Sequence, residues 1–193
     1  MIRIVTLALT CLICLTPLQA YALSGYASFA KKVLSRLPGQ TEARPDLEAY
    51  LDAMVSSYRK SKGRKGLVSS SLMREMARAQ AADMMAKGRS GHSSSGGFSF
   101  AQRFGGYVED IDLYRARGEN AASDRRKGDA GKEKARRLFQ LWLDSGGHRR
   151  NLMSADYEFV STGVIQHGDE LWAVQVFWSR PVEPGSNPLF QIQ

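Results

Sequence analysis

The chain has 193 residues, 43% of them hydrophobic and 24% charged, a balance that supports one packed domain with short appendages. It excludes a disordered chain and a multi-span membrane protein alike. Lysine and arginine number 27 against 19 acidic residues, a formal net charge of +8, which favours anionic partners without distinguishing among them.

Arg3 precedes the apolar stretch Ile4 to Leu18, and Ala20-Tyr21-Ala22 offers a small-x-small cleavage site, so residues 1–22 read as a secretory signal peptide. Thr6, Thr10, Thr16 and Pro17 interrupt the stretch, which falls short of the roughly 20 apolar residues that cross a bilayer. No transmembrane span is therefore expected in the mature chain, and the expected location is secreted or periplasmic. Both cysteines, Cys11 and Cys14, lie in the signal segment. The mature chain then has neither a cysteine nucleophile nor a thiolate metal site, which leaves histidine, carboxylate and hydroxyl chemistry. Its roughly 170 residues can bury about 70% of their unfolded surface without disulfides.

From Ser24 to Leu37 the residues Tyr26, Phe29, Ala30, Val33, Leu34 and Leu37 recur at helical spacing, predicting an amphipathic helix that packs on the domain or touches a membrane surface. The breaker-rich run Pro38 to Pro45 reads as a linker, so residues 23–45 form a helix and linker and the main domain spans 46–180. Asp46 suits a helix N-cap. Leu47, Tyr50, Leu51, Met54, Val55 and Tyr58 follow with helical periodicity up to the Lys62-Gly63-Arg64-Lys65-Gly66 break. Ser69 to Ser71 then offer a cap for a third helix, which carries Met73, Met76, Ala77, Ala81, Met84 and Met85 and ends at Gly88. Its methionines read as core filling.

A Ser/Gly-rich loop covers Arg89 to Gly97, and a short helix through Phe98, Phe100, Ala101 and Phe104 stops at Gly105-Gly106. Arg115 to Asn120 reads as another loop. A helix with Ala135, Leu138, Phe139, Leu141 and Trp142 ends at Ser145-Gly146-Gly147. Residues 159–166 and 171–179 alternate as two strands around His167-Gly168-Asp169-Glu170, a hairpin pattern. Residues 181–193, with Pro181, Pro184, Gly185 and Pro188, read as an extended tail. The fold class is α+β, helices covering a small antiparallel sheet.

Three histidines are present. His92 and His148 sit beside glycines just past helix ends, and Glu119 follows Gly118 in a third loop. Two imidazoles and a carboxylate are the ligand types of an open zinc site, although their spacing is non-local and each also suits a structural polar role. His167 reads as a turn residue. Three serines follow His92, but no Gly-x-Ser-x-Gly elbow accompanies them. Basic pairs at Arg64-Lys65, Arg125-Arg126, Arg136-Arg137 and Arg149-Arg150 are scattered and lack the aromatic signature of an RNA-binding sheet. No nucleic acid is expected, whereas an anionic lipid or cell-wall polymer suits the charge.

In chain order stand an early amphipathic helix, a second helix leading to Gly91-His92, then Gly118-Glu119-Asn120, then Trp142 followed by Ser145-Gly146-Gly147-His148-Arg149-Arg150-Asn151-Leu152-Met153, then Thr162-Gly163-Val164 and Trp172 to Phe177. This series, from about Leu47 to Ser179, resembles the CAP superfamily of cysteine-rich secretory proteins, antigen 5 and pathogenesis-related proteins, in particular its bacterial SCP-like extracellular branch. The resemblance implies a three-layer α-β-α sandwich with a cleft that gathers His92, Glu119 and His148, a site for Zn2+ or another divalent cation. Two departures accompany it: Ser145, with Asp144 adjacent, stands where many members carry a second glutamate, and the family's disulfides are missing. The leading expectation is a metal-associated binding or interaction module of the bacterial envelope. The alternatives are a metal-assisted hydrolase of peptidase or esterase type, with Glu119 or a histidine as base, and a protein that binds lipid or anionic envelope polymer. Substrate, oligomeric state and catalytic residues stay open at this point.

Overall fold

The computed structural model describes residues 25–182. Residues 1–24, which include both cysteines and the stretch expected to be a signal peptide, and residues 183–193 of the expected tail lie outside the described residues.

The late hairpin builds the centre of the sheet. Strands β4 (Phe159–His167) and β5 (Glu170–Trp178) pair antiparallel along their whole length. On β5 the alternation expected of a buried strand sorts side chains between two cores. Leu171, Ala173 and Phe177 enter one, and Trp172, Val174, Val176 and Trp178 enter the other. A sheet with two apolar faces needs a helical layer on each. Helix α2 (Pro45–Ser61) with α5 (Lys132–Asp144) and α6 (Gly146–Met153) covers the first, and α1 (Gly25–Leu34), α3 (Arg74–Lys87) and α4 (Phe100–Gly105) cover the second.

Three shorter strands complete the sheet. β1 (Thr41–Ala43) pairs antiparallel with one end of β4, and the two-residue β2 (Val68–Ser69) pairs parallel with the other. β3 (Arg117–Asp124) pairs antiparallel with β5 and ends the order β1-β4-β5-β3. The breaker-rich segment before Pro45 thus holds a paired strand, with Thr41 Oγ1 bonded to His167 Nδ1 at 2.7 Å. Asp46 caps nothing by its side chain. Pro45 opens α2, where its missing N–H is no loss, and Arg44 pairs with Asp46 instead. The loop expected over Arg115 to Asn120 is mostly strand β3, and the glycines after Asp144 start helix α6.

The expected amphipathic pre-domain helix is α1, and its apolar side is used inside the molecule. Tyr26, Ala27 and Ala30 are buried against α3, while Tyr26 and Phe29 meet the ring of Phe98. Met73, Met76 and Met84 are fully buried, as core filling requires. Helix α3 approaches β4 closely at Gly163, where any Cβ would collide with the backbone of Ala77 and Arg78.

The buried face of α2 also carries two acids. Glu48 takes both guanidinium contacts of Arg78, at 2.7 and 2.6 Å, and accepts the N–H of Val164. Asp52 accepts from Thr162, Ser69 and Arg74. Burying two carboxylates is tolerable only because each is so fully bonded, and the bonds pin α2, α3 and β4 together. Among the described residues no helix is long and apolar enough to cross a membrane.

Candidate functional site

Because β3 is an edge strand, the two helical layers can meet beyond it. His92 arrives from the α3–α4 loop on one side of the sheet, and His148 from α6 on the other. Their rings face each other with centroids 6.0 Å apart and planes at 64°. Glu119 projects from β3 between the layers, and its Oε1 lies 2.8 Å from His92 Nδ1. The three side chains singled out from the sequence therefore converge, although they are distant in the chain.

The loop that carries His92 is tied at many points. Gly88 takes the left-handed conformation (φ 65°) and ends α3 through bonds to Met84 and Met85. Gln80 donates to the Gly91 carbonyl and Lys87 to that of Ser93. Asp83 accepts the backbone N–H and the hydroxyl of Ser95, and Ser94 Oγ accepts the N–H of Phe98. Ser94 and Ser95 are thus spent on loop architecture. They do not form a nucleophile–histidine pair.

Glu119 is held by Arg103 of α4. Nη1 and Nη2 reach Oε2 and Oε1 at 2.7 and 2.9 Å, and Nη2 also donates to the His92 carbonyl at 2.7 Å. The Arg103 side chain is 0% exposed and that of Glu119 2%, so this is a bidentate pair removed from water. Tyr26 of α1 borders the same guanidinium, and burial pushes its hydroxyl far up. Arg103 is the site residue that sequence reasoning missed. Its one signal is a cation placed among Phe100, Ala101 and Phe104 on a short apolar helix.

On the α6 side, Asn120 donates to the His148 carbonyl, and Asn151 donates to Asn120 Oδ1 and to the Glu119 carbonyl. Ser145 Oγ caps α6 through the His148 N–H. Glycine at 118 leaves room for the Tyr157 hydroxyl, into which a Cβ there would run and which itself reaches Asn151. Asp144 accepts from Gln140 on α5, away from the imidazoles. His167 stays at the far end of β4 with Thr41.

The two imidazoles differ electrostatically. The hydrogen bond with Glu119 raises His92 above the ordinary histidine range, against burial and the Arg103 charge. Burial, then the neighbouring His92, lowers His148. As donors to a cation, the residues divide. Both oxygens of Glu119 are engaged by Arg103 and His92, and among the described residues no group of three His, Cys, Asp or Glu side chains is placed to hold a metal ion. Among the described residues the His148 ring carries no such tie, and His92, bonded to Glu119 through Nδ1, keeps Nε2 for another partner.

The family described as CAP, cysteine-rich secretory protein family, matches residues 53–177. The chain belongs to this family. The match takes in His92, Glu119 and His148, whereas α1 precedes it and adds Tyr26 to the wall behind Arg103. Protein YkwD of Bacillus subtilis (strain 168) is 25% identical over 163 residues, which cover 81% of this chain and 58% of YkwD. The CAP chain thus spans less than two thirds of that relative's length. Among solved structures, an outer surface protein of Borrelia burgdorferi superimposes with a TM-score of 0.62 at 17% identity, over 74% of this chain and 99% of that one. An extracellular protein of Bacillus anthracis str. Ames containing an SCP domain gives 0.57 at 19%, over 70% of this chain and 41% of that one. These likenesses establish the α+β CAP fold, helices on both faces of a five-stranded sheet.

Proposed function

We propose that the protein is an exported CAP-domain binding module of the bacterial envelope whose cleft holds a divalent cation, Zn2+ or a similar ion, on the imidazoles of His92 and His148. The observation that supports this reading best is the approach of two imidazoles from opposite layers, one of them oriented by a carboxylate. In this reading Glu119 acts on the cation through His92. It fixes the ring by its Nδ1 bond, as outer-shell carboxylates do for metal-bound histidines, while Arg103 keeps that carboxylate in place. A cation held there would supply Lewis acidity toward a ligand oxygen. The names of the Borrelia and Bacillus anthracis relatives, outer surface and extracellular, support export, as does the signal-like N-terminus. The net charge of +8 supports attraction to anionic lipid or wall polymer, an attraction that weakens as salt rises. Calorimetric titration of the full chain with zinc tests the cation site. Saturable uptake that is lost in His92→Ala and in His148→Ala agrees with it, and uptake that survives both variants refutes it.

A second reading, hydrolysis, is favoured by two imidazoles only 6.0 Å apart whose surroundings push one toward its charged form and the other toward its neutral form. Neighbouring groups driven apart in this way divide into an acid and a base. His148, the more readily neutral ring, would take a proton from water, and His92, the more readily charged one, would return a proton to the leaving group. Turnover of peptide or ester substrates that disappears in His148→Gln supports this reading, and no turnover by the folded protein across such substrates excludes it.

A further inference from the structure

Arg59, in the last turn of α2, is only 1% exposed, yet no carboxylate pairs with it among the described residues. A guanidinium has five N–H donors, one on Nε and two on each terminal nitrogen. Nε donates to the Lys65 carbonyl at 2.8 Å, and Nη1 donates to those of Leu152 and Ser154 at 2.9 and 2.7 Å. These bonds tie the end of α2 to the loop after it and to the end of α6. They occupy Nε and Nη1 but supply no negative charge. Nη2 has no partner among the described residues, and it is not one of the atoms sealed away from solvent. A charge covered to this degree calls for a counter-ion. The buried Arg103 has one in Glu119; Arg59 has none. Burial and the neighbouring Arg64 both hold Arg59 below the ordinary arginine value.

Arg59 lines a cavity of about 660 Å³ with Arg64, Lys65, Val68, Tyr157 and Glu158, a size within the usual range for small-molecule sites. Arg64 and Lys65 are exposed at its rim, and neither side chain has a hydrogen bond or ion pair among the described residues. Gly63 takes the left-handed conformation (φ 71°), which turns the chain back so that the Arg64 N–H reaches the Arg59 carbonyl at 2.9 Å. Arg64 is thereby kept beside Arg59. Across the cavity the Val68 N–H bonds the Glu158 carbonyl at 2.8 Å. The Glu158 carboxylate is already matched by Arg180, whose Nε and Nη2 both lie 3.1 Å from Oε2. Three cations therefore stand around the cavity against one carboxylate that has its own partner. Val68, 58% exposed, adds an apolar surface.

We propose that this cavity binds a phosphate monoester, with one phosphate oxygen on Arg59 Nη2, the others toward Arg64 and Lys65, and the carbon part of the ester against Val68. A monoester carries a charge of about −1.5 to −2 at neutral pH and three strong acceptor oxygens, which suits unmatched cations arriving from two segments of chain. A carboxylate brings a single charge and two coplanar oxygens, too little for the three. The carbonyls that hold Nε and Nη1 fix the direction of Nη2 before any ligand arrives, so little ordering is left for binding to impose. Neither His92 nor His148 lines this cavity, so the phosphate site and the cation site can fail independently.

The test uses the full chain with a chelator present and the ionic strength held constant with chloride. The probes are inorganic phosphate and glycerol 3-phosphate, followed through the 15N signal of the Arg59 Nε–H group. Glycerol 3-phosphate is expected to shift that signal saturably, whereas acetate at equal concentration leaves it in place. Arg64→Gln combined with Lys65→Gln removes two cations that bond nothing else, so the circular dichroism stays unchanged while affinity falls about tenfold or more. Arg59→Lys keeps a charge but loses Nη2, and it is expected to weaken binding as strongly, with urea unfolding to verify the fold. Sedimentation with phosphatidylcholine vesicles that contain phosphatidic acid separates two sources of the same group. Pull-down that glycerol 3-phosphate competes away agrees with a lipid headgroup, and a shift in solution without pull-down agrees with a soluble ester. Absence of a saturable Arg59 shift with either phosphate probe overturns the proposal, as does an equal shift with acetate. Both results are read on the unaltered chain and do not depend on how any variant folds.

Discussion

Arg103 grips both carboxylate oxygens of Glu119 at 2.7 and 2.9 Å from a position fully shielded from solvent. His92 is the other partner of Glu119 but stands half in solvent, so the two buried charges rely mainly on each other. The pair joins α4 to β3, and through the His92 carbonyl it also fixes the loop above.

Removing one member leaves the other buried and unpaired. Arg103→Met is expected to destabilise the fold by about 3 to 5 kcal/mol, whereas Arg103→Met with Glu119→Leu recovers a large part of that loss. Urea unfolding of the three variants checks this, and a loss under about 1 kcal/mol in the single variant would contradict a buried pair.

The main obstacle to a Cβ at Gly118 is the Tyr157 hydroxyl, with Asn151 Oδ1 next nearest. Gly118→Ala is therefore expected to destabilise by about 1 to 3 kcal/mol through overpacking. Tyr157→Phe in the same chain should restore part of it, a coupling that thermal melting in a double-mutant cycle measures. Simple additivity would show that the strain lies elsewhere.

The two histidines make opposite contributions to pH dependence. His92 is raised by Glu119, so its share of stability is complete below the unfolded histidine pKa of about 6.5 and is lost as pH rises through its higher folded value. His148 is lowered by burial, so its share is present above about 6.5 and is lost as pH falls through its lower folded value. His92→Gln should therefore cost more stability in mild acid than in mild base, and His148→Gln should cost relatively more in base. Unfolding curves across that window, in chelator, check the two signs, and parallel profiles would contradict the assignment.

Asn151 links three parts of the site, bonding the Glu119 carbonyl and Asn120, which in turn holds the His148 carbonyl. Asn151→Ala is expected to cost about 1 to 3 kcal/mol because it leaves buried acceptors unmatched. It should also broaden the His148 ring signals in NMR spectra, whereas Asn151→Asp keeps one link and lies between. Sharp, unshifted His148 signals in Asn151→Ala would contradict the positioning role.

What could be read from the sequence follows from where apolar periodicity survives. Helices α2, α3 and α5 and the β4–β5 hairpin bury regular apolar stripes, and their patterns announce them. β3 shows no such stripe because its two faces carry Glu119 and Asn120, the polar groups of the site, beside small residues that admit Tyr157 and α6. Helix α6 begins with two glycines, poor helix formers, and is held by the Ser145 cap and the asparagines. β1 and β2 are too short to have a period. The meeting of His92, Glu119 and His148 was legible only through the order of short motifs, since no local spacing encodes a contact across a sheet edge. Arg103 was hidden because its partner lies on a different element.

The most direct measurement is 15N NMR of the imidazole nitrogens during zinc titration of the full chain. The account predicts that one ring nitrogen of His92 and one of His148 shift together and saturate at one equivalent, while His92 Nδ1 keeps its bond to Glu119 and His167 stays unmoved. Zinc that shifts His167 or a single cleft histidine, or that shifts none, would contradict a shared site between the two layers.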